Sequence, residues 1–204
     1  MSFFTFVVEA TILFFHSMSG SWAFSILLLS LSVKLVLVPI QLFNFKQQRL
    51  MARIQPELDE LAKTYKDDPM LLYRKMADVR KREGAKPGMS LLTSLMQLPI
   101  FLSIYRAFSS MPSLLAGKVM WLTSFANPDP FFVFPMVVAL GSYVQQRLNP
   151  ALESKARSDM GRVMRFMPIL SFVFMLGLPS GLVLYYSLSG ILNIVTDYGF
   201  RRWG

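Results

Sequence analysis

The 204-residue sequence contains no cysteine. Disulfides, thiolate metal sites, a cysteine nucleophile and lipidation at cysteine are therefore excluded. It contains one histidine, His16, so a metal site built on several imidazoles is excluded as well. Charge is scarce: 16% of residues are charged, against roughly 25% in an average soluble domain. Acidic residues are the scarcer kind, 12 Asp/Glu against 21 Lys/Arg, which leaves a net charge of +9. Catalytic signatures are missing too. There is no HExxH, GxSxG or Walker A motif, and no pair of carboxylates inside an apolar segment. Without a nucleotide site, transport driven by hydrolysis is excluded. Matched halves of an inverted-repeat transporter are also lacking. Neither an enzyme nor a bound cofactor is expected.

What the sequence does hold is apolar. The hydrophobic share is 53% and the mean hydropathy +0.44, which excludes a disordered chain and argues against an ordinary water-soluble domain. A basic, apolar chain points to a membrane with basic loops on one side, and less to a nucleic-acid binder. A span needs about 20 mostly apolar residues. Residues 22–45 carry one charge, Lys34; residues 87–105 carry none before Arg106; residues 130–146 lie uncharged between Asp129 and Arg147. Residues 166–196 form a 31-residue uncharged run. Leu178-Pro179-Ser180-Gly181 near its centre reads as a tight turn between two short spans. Short spans are accommodated by local thinning of the bilayer. Residues 3–19 are apolar except for Glu9 and His16, with no preceding basic residue and no small-residue cleavage pattern. They read as an interfacial helix on the outer face rather than a signal peptide.

The basic residues orient these spans. Residues 46–86 hold 11 Lys/Arg, residues 111–129 hold only Lys118, residues 147–165 hold five, and the tail holds Arg201 and Arg202. Rich and poor loops alternate only if the long run is two spans. The positive-inside rule then puts the rich loops in the cytoplasm, the N-terminus outside and the C-terminus inside. The expected fold is an all-α integral membrane protein with five transmembrane helices. Its segments are an N-terminal interfacial helix (1–21), spans at 22–45, 87–110, 130–146, 164–178 and 179–198, an outer loop at 111–129, a cytoplasmic loop at 147–163 and a tail at 199–204. Residues 46–86 are a cytoplasmic helical hairpin. Met51, Ile54, Leu58, Leu61 and Tyr65 recur at helical spacing; Asp67-Asp68-Pro69 resembles a helix start; Gly84 and Pro87 end the second helix.

Lys34 is the most informative residue. It stands near the middle of the first span, where a Lys costs about 2.5–3.5 kcal/mol on insertion scales. Ser30 lies one turn before it on the same face. Pro39 follows and frees the carbonyl of Leu35. No acidic residue lies within spans two to four, and Asp197 sits too near the cytoplasm to be an obvious partner. One reading is a hydrated cavity open to the cytoplasm. Thr93, Ser94, Gln97 and Ser103, then Gln145 and Gln146, and finally Ser187, Ser189 and Asn193 are candidates to line it. The other reading is that Lys34 snorkels to an interface and the polar residues merely join helices.

The residues also resemble those of the YidC family of membrane-protein insertases. The resemblance runs from about Phe14 to Asp197. It rests on Phe15-His16-Ser17 with Gly20-Ser21-Trp22, on Val33-Lys34-Leu35-Val36-Leu37-Val38-Pro39, and on Met51-Ala52-Arg53-Ile54-Gln55-Pro56-Glu57. Gln97-Leu98-Pro99-Ile100-Phe101, Asp129-Pro130 with Pro135, Phe166-Met167-Pro168, and the stretch from Leu178 to Tyr185-Tyr186 complete it. Taken together these are specific, although each alone is weak. The family residue in the first span is usually Arg, where this chain has Lys34. Lys lacks the planar fork and can lose its proton when buried. The aromatic at Tyr186 can be Trp in relatives. The chain looks like a minimal five-span bacterial form.

The resemblance implies a multi-pass protein of the bacterial cytoplasmic membrane, acting as an insertase and chaperone without covalent chemistry. It implies a positively charged groove open to the cytoplasm and to lipid. There the polar segment of a nascent membrane protein would be received before its apolar segment passes into lipid. Lys34 would supply the charge. Ser30, Thr93, Gln97, Gln145, Gln146, Tyr186 and Asn193 are the other candidate groove residues. The partners implied are nascent membrane proteins and the bilayer, with a ribosome and a Sec-type translocon as candidates through the hairpin and tail; DNA is not among them. The alternatives are a small anion channel or transporter using the Lys34 cavity, and a passive assembly subunit.

Overall fold

Polar groups are buried and large apolar groups are exposed in this chain, the reverse of a water-soluble fold. Ser25, Ser30, Lys34, Asn44, Ser103 and Ser187 are all buried, whereas Leu35, Val36, Leu98, Met136, Leu140, Ile169, Leu170 and Val195 are exposed. Soluble monomers rarely present apolar patches on this scale. The structure is a computed structural model that describes residues 3–86, 88–111, 117–118, 121–148 and 165–203, with all their side chains except those at 89–94, 96, 110 and 201–203.

Seven α-helices run through these residues: α1 (Phe3–Ser19), α2 (Trp22–Thr64), α3 (Pro69–Arg82), α4 (Gly88–Ser110), α5 (Val133–Leu148), α6 (Met167–Met175) and α7 (Ser180–Trp203). The α7 helix is the hub and packs on α5, α2 and α4; α6 packs on α5, and α1 on α2 and α4. Among the described residues, α2 is the one helix long and apolar enough, by length and hydropathy, to cross a membrane.

Two elements differ from the sequence reading. The segment 22–45 and the first arm of the hairpin are a single helix of 43 residues, about 65 Å at 1.5 Å per residue. Nothing between Phe45 and Leu50 interrupts it: the residues are Lys, Gln, Gln and Arg, all good helix formers. The second difference concerns α1, read as lying flat at an interface. Instead it turns back at Gly20, whose φ of 65° suits a residue without Cβ, and runs alongside α2. Thr5, Val8 and Ile12 are its buried face. Its far end reaches Val36 and Leu37 of α2 and Ile100 of α4, around an apolar cavity of about 280 Å³ that Phe4 and Val7 also line. His16 stacks on Trp22 at 3.6 Å and fixes the turn. An apolar helix gains more by burying that face in the bundle than by lying exposed.

At one end of the molecule the C-terminal half of α2 and α3 form a helical hairpin. Ile54, Leu58, Val79 and Ala85 make its core, with Leu50, Met51, Leu61 and Met76 against it. The Asp68 carboxylate accepts from the Leu71 amide at 2.9 Å with Pro69 in the first turn, so α3 has the N-cap that its Asp-Pro pair predicts. Arg82 donates to both oxygens of Glu57, at 3.0 and 2.8 Å, and closes the hairpin. Glu83 and then Glu57 hold the Arg82 guanidinium in its charged form.

At the opposite end a loop seals the bundle. Asp129 is 2% exposed and accepts from Trp121 Nε1 at 2.9 Å and from the amides of Phe131 and Phe134 at 3.1 and 2.9 Å. The amides of Ser180 and Gly181 donate to the carbonyls of Asn127 and Phe125 at 2.8 and 3.0 Å, and Ser180 Oγ donates to the carbonyl of Ser124. These carbonyls take the donors that the start of α7 cannot satisfy within the helix. Phe125 thereby joins Ile12, Ile26, Leu29, Ile104, Phe108 and Leu182 in the main apolar core.

The sequence assigned Gly181 to a turn, yet α7 already begins at Ser180. Its role is close packing. A Cβ there would lie 2.6 Å from Phe108 Cε1 and 3.0 Å from Phe125 Cβ, whereas one at Gly190 meets nothing within 4 Å. Gly181→Ala is therefore expected to lower the thermal unfolding midpoint in detergent, at an overpacking cost of about 1–3 kcal/mol. Gly190→Ala, with the same change in propensity, should leave it unchanged or raise it. Equal midpoints for the two variants would contradict the close-packing role.

Candidate functional site

Helices α2, α5 and α7 leave a cavity of about 310 Å³ on the hairpin side of Lys34. Its walls are mostly polar, with Phe45 of α2 also lining it. Gln41, Asn44 and Gln48 come from α2, Ser142, Gln145 and Gln146 from α5, and Asn193 and Asp197 from α7. On α2 these residues continue the face of Lys34, at steps of seven, three and four. On α7, Asn193 and Asp197 are one turn apart, so both face the same space.

Lys34 lies behind the cavity wall, bonded to two of its lining residues, Gln41 and Asn193. Its side chain is 5% exposed, and Nζ donates to Gln41 Oε1 and to Asn193 Oδ1. Gln41 Nε2 reaches Asn193 Oδ1 at 3.5 Å, so the two amides close a small ring around the amine. Asp197 acts on Lys34 through its field. Two neutral amides and a carboxylate one turn away replace part of the water that an ammonium loses on burial. Gln145 Nε2 donates to the Gly190 carbonyl at 3.3 Å, which ties α5 to α7 at the same level. Beyond Lys34, toward the sealing loop, the packing is mainly apolar, with Leu29, Ile26, Ile104, Phe108 and Phe125 in the core and Ser25, Ser30, Ser103 and Ser187 buried as well.

The residues singled out in the sequence divide into groups. Lys34, Gln145, Gln146 and Asn193 come together at the cavity. Ser30 is buried but does not line it; its hydroxyl donates to the Ile26 carbonyl of its own helix at 2.9 Å. Gln97 and Tyr186 form a separate cluster in which their side chains hydrogen-bond, with Phe101 6.0 Å from Tyr186. Ser187 donates to the Phe134 carbonyl at 3.1 Å and joins α7 to α5. Ser103 donates to the Pro99 carbonyl at 2.7 Å and faces the cavity beside α1. The Thr93 and Ser94 side chains lie outside the described residues.

Sequence reasoning missed Gln41, Asn44, Gln48, Ser142 and Asp197. The α2 residues were legible, since helical spacing from Lys34 picks them out. Asp197 was set aside because it sits far along the last helix. The structure corrects that: Lys34 points toward the hairpin end, and Asp197 is one turn from its hydrogen-bond partner Asn193.

Residues 14–203 match the profile of a family described as 60Kd inner membrane protein. The chain is similar to the membrane protein insertase YidC of Francisella tularensis subsp. novicida, at 32% identity over 203 residues, or 99% of this chain and 36% of the relative. It is similar at 30% identity, with the same coverage, to the membrane protein insertase YidC of Francisella philomiragia. The chain thus spans little more than a third of the length of these curated relatives. A crystal structure of an active YidC insertase with its first transmembrane domain resolved has the same fold. Its TM-score is 0.75 at 22% identity, over 97% of this chain and 47% of that one.

The amide ring makes a stability prediction. Asn193→Leu removes one of the two acceptors of Lys34 and should destabilise the bundle by about 1–3 kcal/mol. Lys34→Met together with Asp197→Leu removes both charges of the pair and should be neutral or stabilising, by as much as about 1–4 kcal/mol. Thermal unfolding of both variants in one detergent tests the pair. An unchanged midpoint for Asn193→Leu would mean that Asn193 does not hold the amine.

Proposed function

The chain belongs to the 60Kd inner membrane protein family, that of the YidC insertases, and on that premise we propose that it inserts and chaperones membrane proteins by holding their polar segments in the Lys34 cavity. The observation that carries this is the cavity's polarity: side-chain amides of Gln and Asn, a serine and an acid line it, and the Lys34 amine is bonded to two of those amides. A polar substrate segment gains hydrogen bonds there without a path through the bundle. Its apolar segment leaves sideways into lipid, because the surrounding surfaces of α5 and α6 are apolar and exposed. The exchange is of surroundings only, with no covalent step.

In this reading the five spans are the first half of α2, then α4, α5, α6 with its flanking turns, and α7. The hairpin and tail lie in the cytoplasm, the sealing loop outside, in a bacterial cytoplasmic membrane. The 16 residues of α5 give about 24 Å of helix and the nine of α6 about 14 Å. Both are short of a hydrocarbon core of about 30 Å, which favours a locally thinned bilayer. Thinning and the cavity act in the same direction, since each shortens the apolar path that a polar segment must cross. Lys34 attracts acidic tails, and Asp197 competes with them as the resident anion. Gln97 and Tyr186 belong to the slide rather than the cavity. The hairpin's net basic surface is where a ribosome or a Sec-type translocon would approach. An anion channel would instead need a polar route past Phe108 and Phe125, which are fully buried in apolar contacts.

The test is insertion of a single-span protein with an acidic N-terminal tail into proteoliposomes, scored by protease protection of the tail. The unaltered chain and Lys34→Arg are expected to insert it. Lys34→Ala should be slower by roughly tenfold or more, the loss of one charge-assisted contact of about 1.5–3 kcal/mol. Asp197→Asn should favour acidic tails over neutral ones. Equal insertion by Lys34→Ala would remove the charge from the mechanism and leave thinning and polarity. No insertion above empty liposomes by the unaltered chain would overturn the insertase reading, and anion flux would then be measured.

A further inference from the structure

A second cavity, of about 520 Å³, opens beside α2, next to the first and sharing Phe45 with it. Its lining changes character along the helix. Leu42 and Phe45 come first, then Lys46, Arg49 and Arg53, with Leu50 among them and Phe200 of α7 closing the side. Three cations line it and no carboxylate does, in contrast to the cavity that holds Asp197. Lys46 and Arg53 are exposed, and among the described residues neither has an ion-pair partner. Arg49 is held in place: its guanidinium sits 4.6 Å over the Phe45 ring and donates to the Phe200 carbonyl at 3.3 Å. The Phe45 and Phe200 rings are 5.8 Å apart and form the apolar floor.

We propose that this cavity binds the phosphate headgroup of an anionic glycerophospholipid, with Lys46, Arg49 and Arg53 around the phosphate and the Leu42–Phe45–Phe200 wall against the glycerol and upper acyl carbons. Polarity and depth carry the argument. Lys46 lies 12 residues beyond Lys34, about 18 Å along the helix. With Lys34 near the middle of a core about 30 Å thick, Lys46 and Arg49, about 18 and 22 Å along the helix, stand at the level of the inner-leaflet phosphates, with Arg53 a turn farther out on the cytoplasmic side. The apolar wall lies on the membrane side of them, as the tail of a lipid does. Basic pockets between spanning helices on the cytoplasmic side suit anionic headgroups. A zwitterionic headgroup would bring its own cation against three others and is disfavoured. A free phosphate ester would leave the apolar wall unused. The depth rests on the reading of α2 as a span, whereas the charge arrangement does not. Because the readout is lipid occupancy, its failure is distinct from failure of the insertase activity.

The experiment uses the full chain with a photo-crosslinking benzoylphenylalanine in place of Phe200, in vesicles of equal phosphatidylglycerol and phosphatidylcholine. Crosslinks should favour phosphatidylglycerol, by roughly fivefold for each cation that reaches the phosphate. The Lys46→Gln/Arg53→Gln variant should lower the preference by roughly fivefold for each contacting cation removed, down to what Arg49 alone supplies; Arg49 is kept because it ties α2 to α7. Lys63→Gln/Arg74→Gln in the hairpin, which removes the same charge elsewhere, should leave the preference unchanged. Crosslinking that follows bulk composition in the unaltered cavity would overturn the proposal, a result that does not depend on any variant folding. A preference that survives Lys46→Gln/Arg53→Gln, or that falls equally with the hairpin variant, would overturn it too. Displacement by millimolar glycerol phosphate would reassign the site to a soluble phosphate ester.

Discussion

Lys34 puts an amine inside a helix bundle whose exterior is apolar, and much of the bundle is arranged around keeping it there. An isolated ammonium taken out of water loses many kcal/mol of hydration. Here the loss is offset locally, by Gln41 of the same helix and Asn193 of the last one, with Asp197 a turn away. Because one acceptor comes from α7, the register of α2 against α7 follows from satisfying Nζ. Gln145, bonded to the Gly190 carbonyl, then fixes α5 on the other side. The polar cavity is the space these three helices leave when the amine is satisfied.

The opposite end is closed by a different physics. Asp129 collects an indole and two backbone donors, and the loop carbonyls of Phe125 and Asn127 cap α7. These bonds press Phe125 against Phe108, at a spot where only glycine at 181 leaves room. The two ends thus differ in character, polar side chains around the cavity at one and packed aromatics at the other.

The length of α2 links these parts. One continuous helix carries the amine, the amide face, the basic cavity beside Phe200 and the first arm of the hairpin. A tilt of the hairpin would be felt along α2 without crossing a flexible joint, apart from the weak points at Pro39 and Pro56. The cations of the second cavity sit midway along that lever.

Composition, hydropathy and charge spacing were enough to call for an all-helical, membrane-adapted chain and to identify Lys34 as the residue needing explanation. The helical spacing of Met51, Ile54, Leu58 and Leu61 marked the apolar face that the structure packs in the hairpin seam, and Asp68-Pro69 its cap, because helix periodicity and caps are local properties. Gln145, Gln146 and Asn193, which line the cavity, and Lys34, bonded to its wall, stood out in the sequence as polar exceptions in or beside apolar runs. Tertiary structure alone decided which exceptions meet. Ser30 and Lys34 share a helix face, yet the serine hydroxyl is spent on its own backbone while Nζ reaches across to α7. Gln97 and Tyr186 pair with each other instead. Asp197 moved from bystander to electrostatic partner, and α1 packs on α2 and α4. Each depends on how helices are packed and tilted, a long-range outcome that no local spacing encodes.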